Sequence, residues 1–180
     1  MSTKKEDLLQ SAEKLFYEHG FHSIGLKRII NEANVAVMTM YNHFSSKDEL
    51  IVEVLKRREK KYFTQLQLQE SSDLLSVCIQ LAKAHARWLV QNETRGCLFL
   101  RAKEEFGCDS SHPIVQVVNQ HKSSLLKFFQ QKGLTETQAM QLTLLFEGAT
   151  AMAETEDVEK VGEELIYLTK RVFYTVTDAS

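Results

Sequence analysis

Between Leu26 and Leu50 the chain reads LKRIINEANVAVMTMYNHFSSKDEL, a pattern that few local structures accommodate. Leu26, Ile29, Ile30 and Ala33 recur at helical spacing, so a short amphipathic helix comes first. Asn34 follows, and asparagine is one of the few non-glycine residues that tolerate the left-handed backbone of a tight turn between helices. A second short helix, about Val37 to His43, closes on Phe44. Helix, sharp turn and helix over residues 25–44 is the helix-turn-helix pattern, whose second helix can enter a DNA major groove.

The rest of the chain is equally short of breakers. One proline, Pro113, and seven glycines interrupt 180 residues, and no period-2 run of β-branched residues is long enough for a strand. The predicted fold class is therefore all-α, with about nine helices. Hydrophobic residues make up 43% of the chain, enough for one large domain or two small ones. MSTKKEDLLQ lacks the apolar core of a secretory signal, and no run approaches the roughly 20 apolar residues of a membrane span. The expected location is the cytoplasm, without a membrane partner. Cys78, Cys97 and Cys108 are odd in number and show no CxxC spacing, which fits reduced thiols. His112 and His121 have no ligand at i, i+4, so neither a metal nor any other cofactor is expected.

Charge is unevenly placed. Residues 1–62 carry 11 Lys/Arg against 9 Asp/Glu, and the remainder carries 11 against 15. The slight basic excess lies with the helix-turn-helix, as DNA binding requires, although a solvated surface of mixed charge looks the same.

Local signals place the other helices. The first runs from about Lys5 to His19, with Leu8, Ala12, Leu15 and Phe16 on one face and Gly20 as its cap. Lys4 and Lys5 precede it as a short basic arm, which serves either solubility or a phosphate contact. Gly25 stands at the N-cap of the second helix, and Lys27 and Arg28 point outward at its start, where phosphate is favoured. Ser46 to Glu49 form a capping box for a long fourth helix. Lys47 opposes the dipole of that helix, so a nearby phosphate is one reason for it. Asp73, Pro113 and the Thr135–Gln138 box open later helices.

These residues carry a resemblance. LLQSAEKLFYEHGFHS, the helix-turn-helix and MYNHFSSKDELI resemble the N-terminal domain of tetracycline-repressor-type (TetR/AcrR family) transcriptional regulators over about residues 8–55. The resemblance implies a DNA-binding domain at 2–62 and a regulatory domain at 63–180 that binds an effector and dimerises. RGCLFLRAKEEF is also similar to one branch of the family. Departures fall on the reading surface. Ile24-Gly25 replaces the usual paired threonines, Asn34 the turn glycine, Ala36 the Ser/Thr cap, and Val37-Met38 a basic residue followed by glycine. Loss of the Ala36 cap costs roughly 1 kcal/mol.

The expected DNA-contacting residues are Lys4, Gly25, Lys27, Val37, Met38, Thr39, Tyr41, Asn42, His43 and Lys47. Thr39 can hydrogen-bond to a base or a phosphate. Val37, Met38 and Met40 offer apolar contact, which favours thymine methyls and an A/T-rich site. Tyr41 and His43 either pack the small core or contact the DNA backbone, and the motif around them favours the backbone.

The second half is read by default as core. The resemblance implies an effector pocket there, with His85, Trp88, Cys97, Phe99, Phe106, His121 and Phe128 as candidate lining. Cys97 follows Arg95-Gly96, so it is either a structural thiol or one activated by a neighbouring cation. The last two helices are apolar on more than one face. Leu142, Phe146, Ala149 and Ala153, with Leu165, Leu168 and Val172, are the candidate dimer interface, a four-helix arrangement between two copies. The expected function is a ligand-responsive repressor that binds a palindromic operator as a homodimer and is released by a small molecule. The alternatives are a helical protein-interaction module with weakened DNA binding, or an enzyme using a Cys/His pair.

Overall fold

The computed structural model describes residues 3–67, 73–92 and 96–177. Nine helices occupy the described residues: α1 Lys4–His19, α2 Leu26–Glu32, α3 Val37–His43, α4 Lys47–Gln65, α5 Leu74–Gln91, α6 Leu98–Phe106, α7 Pro113–Gln131, α8 Glu136–Met152 and α9 Val158–Thr177. They form two compact units. Unit 1 holds residues 1–60 and 97–120; unit 2 holds 61–96 and 121–180. The change of unit falls within α4, after residue 60. Unit 1 also takes α6 and the first part of α7.

Unit 1 is built around the bulk of Phe16, Phe21, Ile29, Met40, Phe44 and Ile51. Leu98, Phe99, Ala102, Ile114 and Val118 are buried in the same core. Thr3 caps α1 by accepting the Glu6 amide, so Lys4 and Lys5 form the first turn of α1 and are not an arm before it. Asn34 adopts φ 49°, the left-handed turn expected between α2 and α3. Gly20 ends α1 at φ 84°, a backbone conformation that favours glycine.

Caps at the start of α4 differ slightly from expectation. The Ser46 hydroxyl accepts the Glu49 amide at 3.1 Å. The Glu49 carboxylate reaches one residue further back, to the amide and hydroxyl of Ser45, both at 2.6 Å. Those bonds hold the Glu49 carboxyl below the usual carboxylate range.

Gly25 and Ala36 have N-cap geometry but give no side-chain bond to α2 or α3. Ala36→Ser supplies the missing acceptor, with an expected gain of about 1 kcal/mol. Thermal melting should rise by about 2–4 °C; an unchanged or lower midpoint would show that the cap is not limiting.

Unit 2 packs α5 against α9, where Gly162 lets the helices approach until a Cβ there would meet the Ala86 Cβ at 3.0 Å. Leu81, Phe129, Leu142, Phe146, Leu165 and Phe173 fill its core. Thr135 and Gln138 form the expected capping box of α8.

Candidate functional site

The seven residues of α3 are fixed in rotation by Met40, which is fully buried in the core of unit 1. At roughly 100° per residue, Met38 and Asn42 then lie almost opposite Met40, at the centre of the outward face. Met38 is 70% exposed and Asn42 is exposed. Val37 and Tyr41, 59% and 53% exposed, form one flank; Thr39 and His43 form the other. Tyr41 and His43 therefore do not pack the core. Met40, expected at the surface, does. Phe44 and Ile29 are buried as read.

Cations stand on the elements that adjoin α3 in sequence and within unit 1. Gly25, Lys27 and Arg28 are exposed together at the start of α2. Lys4 is exposed, and the Lys5 ammonium lies 5.5 Å from the Phe44 ring centre. Lys47 is half-buried. Burial draws its ammonium below the usual lysine range, while the carboxylates of Asp48 and Glu105 oppose that shift. Those two carboxylates provide a reason for Lys47 within the protein itself.

A clamp on the helix-turn-helix was not legible in the sequence. The amides of Phe21 and His22 donate to the two carboxylate oxygens of Glu105, at 2.9 and 2.7 Å. His22 Nε2 donates to the Glu105 carbonyl at 2.9 Å. Arg101, one turn earlier on α6, donates to the carbonyls of Tyr17 and Phe16 at 2.7 and 3.3 Å, at the C-terminal end of α1. Helix α6 thus holds the α1–α2 junction by its backbone. The partners are 83–85 residues apart, beyond the reach of local patterns.

The candidate effector residues separate. Phe99 is buried in the core of unit 1, Cys97 packs against that core, and Phe106 lies on Phe21, His22 and His112. Arg95, the cation invoked beside Cys97, lies outside the described residues. His85, Trp88, His121 and Phe128 come together in unit 2 around Tyr62 and Phe63. Tyr62 lies 5.8, 5.2 and 6.3 Å from the rings of His85, Trp88 and His121; Phe63 lies 5.2 Å from Phe128. Tyr62 and Phe63 belong to this cluster, although Tyr62 reads in sequence only as part of an apolar stripe. A tyrosine on such a stripe was the available signal, because its hydroxyl needs a partner when buried.

That partner is His85. Nδ1 of His85 lies 2.8 Å from the Tyr62 hydroxyl, and Nε2 lies 3.2 Å from the Phe146 carbonyl. A carbonyl only accepts, so Nε2 carries the proton and Tyr62 donates to Nδ1. Burial pushes the His85 imidazole down to about 3. Cys78 is buried too, and its thiol is pushed up to about 12, which makes it unreactive.

On α8 and α9 the residues named from the sequence turn mostly inward. Leu142, Phe146, Ala149, Ala153 and Leu165 are buried within unit 2; Val172 is half-buried and Leu168 is 44% exposed. Ala149, Leu165 and Leu168 of that set still reach the outward apolar surface, together with residues not singled out in the sequence. Leu144, Leu145, Gly148, Met152, Val161 and Leu168 line a groove of about 460 Å³ between the two helices.

Residues 8–54 match the family model described as bacterial regulatory proteins, tetR family. Over 54 residues the chain is 39% identical to the transcriptional activator FasR of Mycolicibacterium smegmatis, covering 30% of this chain and 25% of that protein. It is 33% identical over 54 residues to the regulator UidR of Escherichia coli, covering 30% and 28%. These matches thus span about a quarter of the length of the curated relatives. The structure of SCO4454, a TetR-family transcriptional regulator from Streptomyces coelicolor, matches with TM-score 0.85 at 29% identity, over 96% of this chain and 95% of that one. With the helix-turn-helix in place and its outward face open, residues 8–54 are similar to the DNA-binding domain of the TetR family of transcriptional regulators, and the chain as a whole shares the fold of a TetR-family regulator.

Proposed function

We propose that this protein is a ligand-responsive repressor that binds a palindromic DNA operator as a homodimer. The observation that carries the reading is the outward face of α3, exposed along its length, with the exposed cations Lys27 and Arg28 on the preceding helix of the motif. One such face covers few base pairs, so two copies related by a two-fold axis are needed for an operator. The groove along α8 and α9 supplies an apolar surface for that pairing, with Leu144 and Met152 64% and 51% exposed. The aromatic cluster around Tyr62 and His85 supports an effector site of apolar or aromatic character in unit 2. The proteins the chain matches are transcriptional regulators, which speaks against the Cys/His enzyme reading.

Static light scattering at micromolar concentration should give twice the chain mass of 20.7 kDa, and a monomer would overturn the dimer. A gel-shift titration against the DNA upstream of its own coding region should give a specific complex. That complex should weaken steeply between about 50 and 200 mM salt. Specific binding lost on a broad screen of small aromatic molecules supports release by effector. In vitro transcription from that DNA should fall when the protein is added; a rise would make it an activator, the role in the name of the FasR relative.

A further inference from the structure

We propose that the centre of α3 reads A·T base pairs, with Asn42 on adenine and Met38 against the thymine methyl. The inference rests on the reading that α3 enters DNA and adds what it recognises there. Burial of Met40 sets the phase of the helix and leaves Met38 and Asn42 at the middle of its outward face. They are four residues apart, so they stand one above the other on that face. In the major groove an A·T pair presents the adenine N7 acceptor and N6 donor beside the thymine 5-methyl. Asn42 carries one acceptor and two donors in an amide plane that matches the adenine edge. Met38 offers a flexible apolar side chain for the methyl. A G·C pair would instead offer two acceptors on guanine, which Arg or Lys takes best, and α3 contains neither. Val37 and Tyr41 on one flank, and Thr39 and His43 on the other, face the groove walls, where phosphates lie.

The test uses the full chain and a library of random-sequence duplexes. Retained duplexes are sequenced, and the most enriched site is remade with deoxyuridine at single thymidine positions, which removes only the methyl. Inverted half-sites with central A·T pairs are expected. Loss of one contacted methyl should weaken binding about fourfold, the value of one methyl group moved out of water. Met38→Ala should bind the thymine and uracil duplexes alike, and Asn42→Ala should lose about tenfold in preference for adenine at its position. Both side chains are exposed, so the melting temperatures of these variants should match the parent and exclude misfolding. A specific site built on central G·C pairs, or equal binding of thymine and uracil at every position, overturns the inference and leaves the regulator reading intact. Retention without any sequence preference overturns both.

Discussion

Lowering the pH from 7 to about 4.5 should remove roughly 2.5 kcal/mol of folding stability through one side chain, His85. In the unfolded chain its imidazole takes up a proton near the ordinary value of 6.5; in the fold, burial holds that value down to about 3. Between the two the unfolded state binds a proton that the folded state refuses. The stability is therefore complete above pH 6.5 and falls as the pH drops, at up to about 1.4 kcal/mol per pH unit. It levels off below about pH 3. Urea midpoints of the parent and of His85→Gln, followed from pH 7 to 4.5, isolate this contribution, because carboxylates titrate alike in both. Glutamine keeps an amide that can donate to the Phe146 carbonyl and has no proton to gain. Parallel curves for the two proteins would refute the assignment.

Glu13→Ala should cost about 3 kcal/mol. Glu13 sits on α1, and its carboxylate bonds Arg58 Nη1 at 3.2 Å and also pairs with Arg57, which in turn pairs with Glu6. Arg58 is 7% exposed and lies 5.0 Å from the Tyr17 ring centre. Removing the acid takes the carboxylate shared by Arg57 and Arg58 out of a largely buried site, where lost charge pairing is poorly replaced by water. The exposed pair Lys14–Glu32 is the control, since Lys14→Ala should change stability by less than about 0.5 kcal/mol. Chemical denaturation of both variants decides the matter, and a Glu13→Ala loss as small as the control would show that the pair behaves as a surface contact.

The helices were legible because their ends are written locally. Asp73, Pro113, Gly20 and the Thr135–Gln138 box each act within one turn, and all stand where the structure needs them. The rotation of α3 was not legible. Apolar residues and a tyrosine take four of its seven positions, so periodicity cannot say which faces inward, and Met40 was placed on the wrong side. Helix α8 poses the same problem at greater length. Leu142 and Phe146 face its own core while Leu144 and Met152 face out, and an apolar letter does not record which kind of neighbour covers it. Glu105 and Arg101 read as ordinary charges of an amphipathic helix, because their partners are distant backbone groups without a sequence signature.

The clamp by α6 belongs to a unit assembled from two separate stretches of chain, 1–60 and 97–120. A fragment ending near residue 62 would lack Leu98, Phe99, Ala102, Ile114 and Val118, and would leave their partners in α1 and α4 open to water. During synthesis, therefore, the helix-turn-helix cannot reach its final packing until about residue 120 has left the ribosome. Exchanging the N-terminal helices between relatives meets the same constraint. A crossover at residue 62 pairs one parent's Phe21–His22 amides with the other's α6, whereas a transplant that carries 97–120 along with 1–60 moves the complete core.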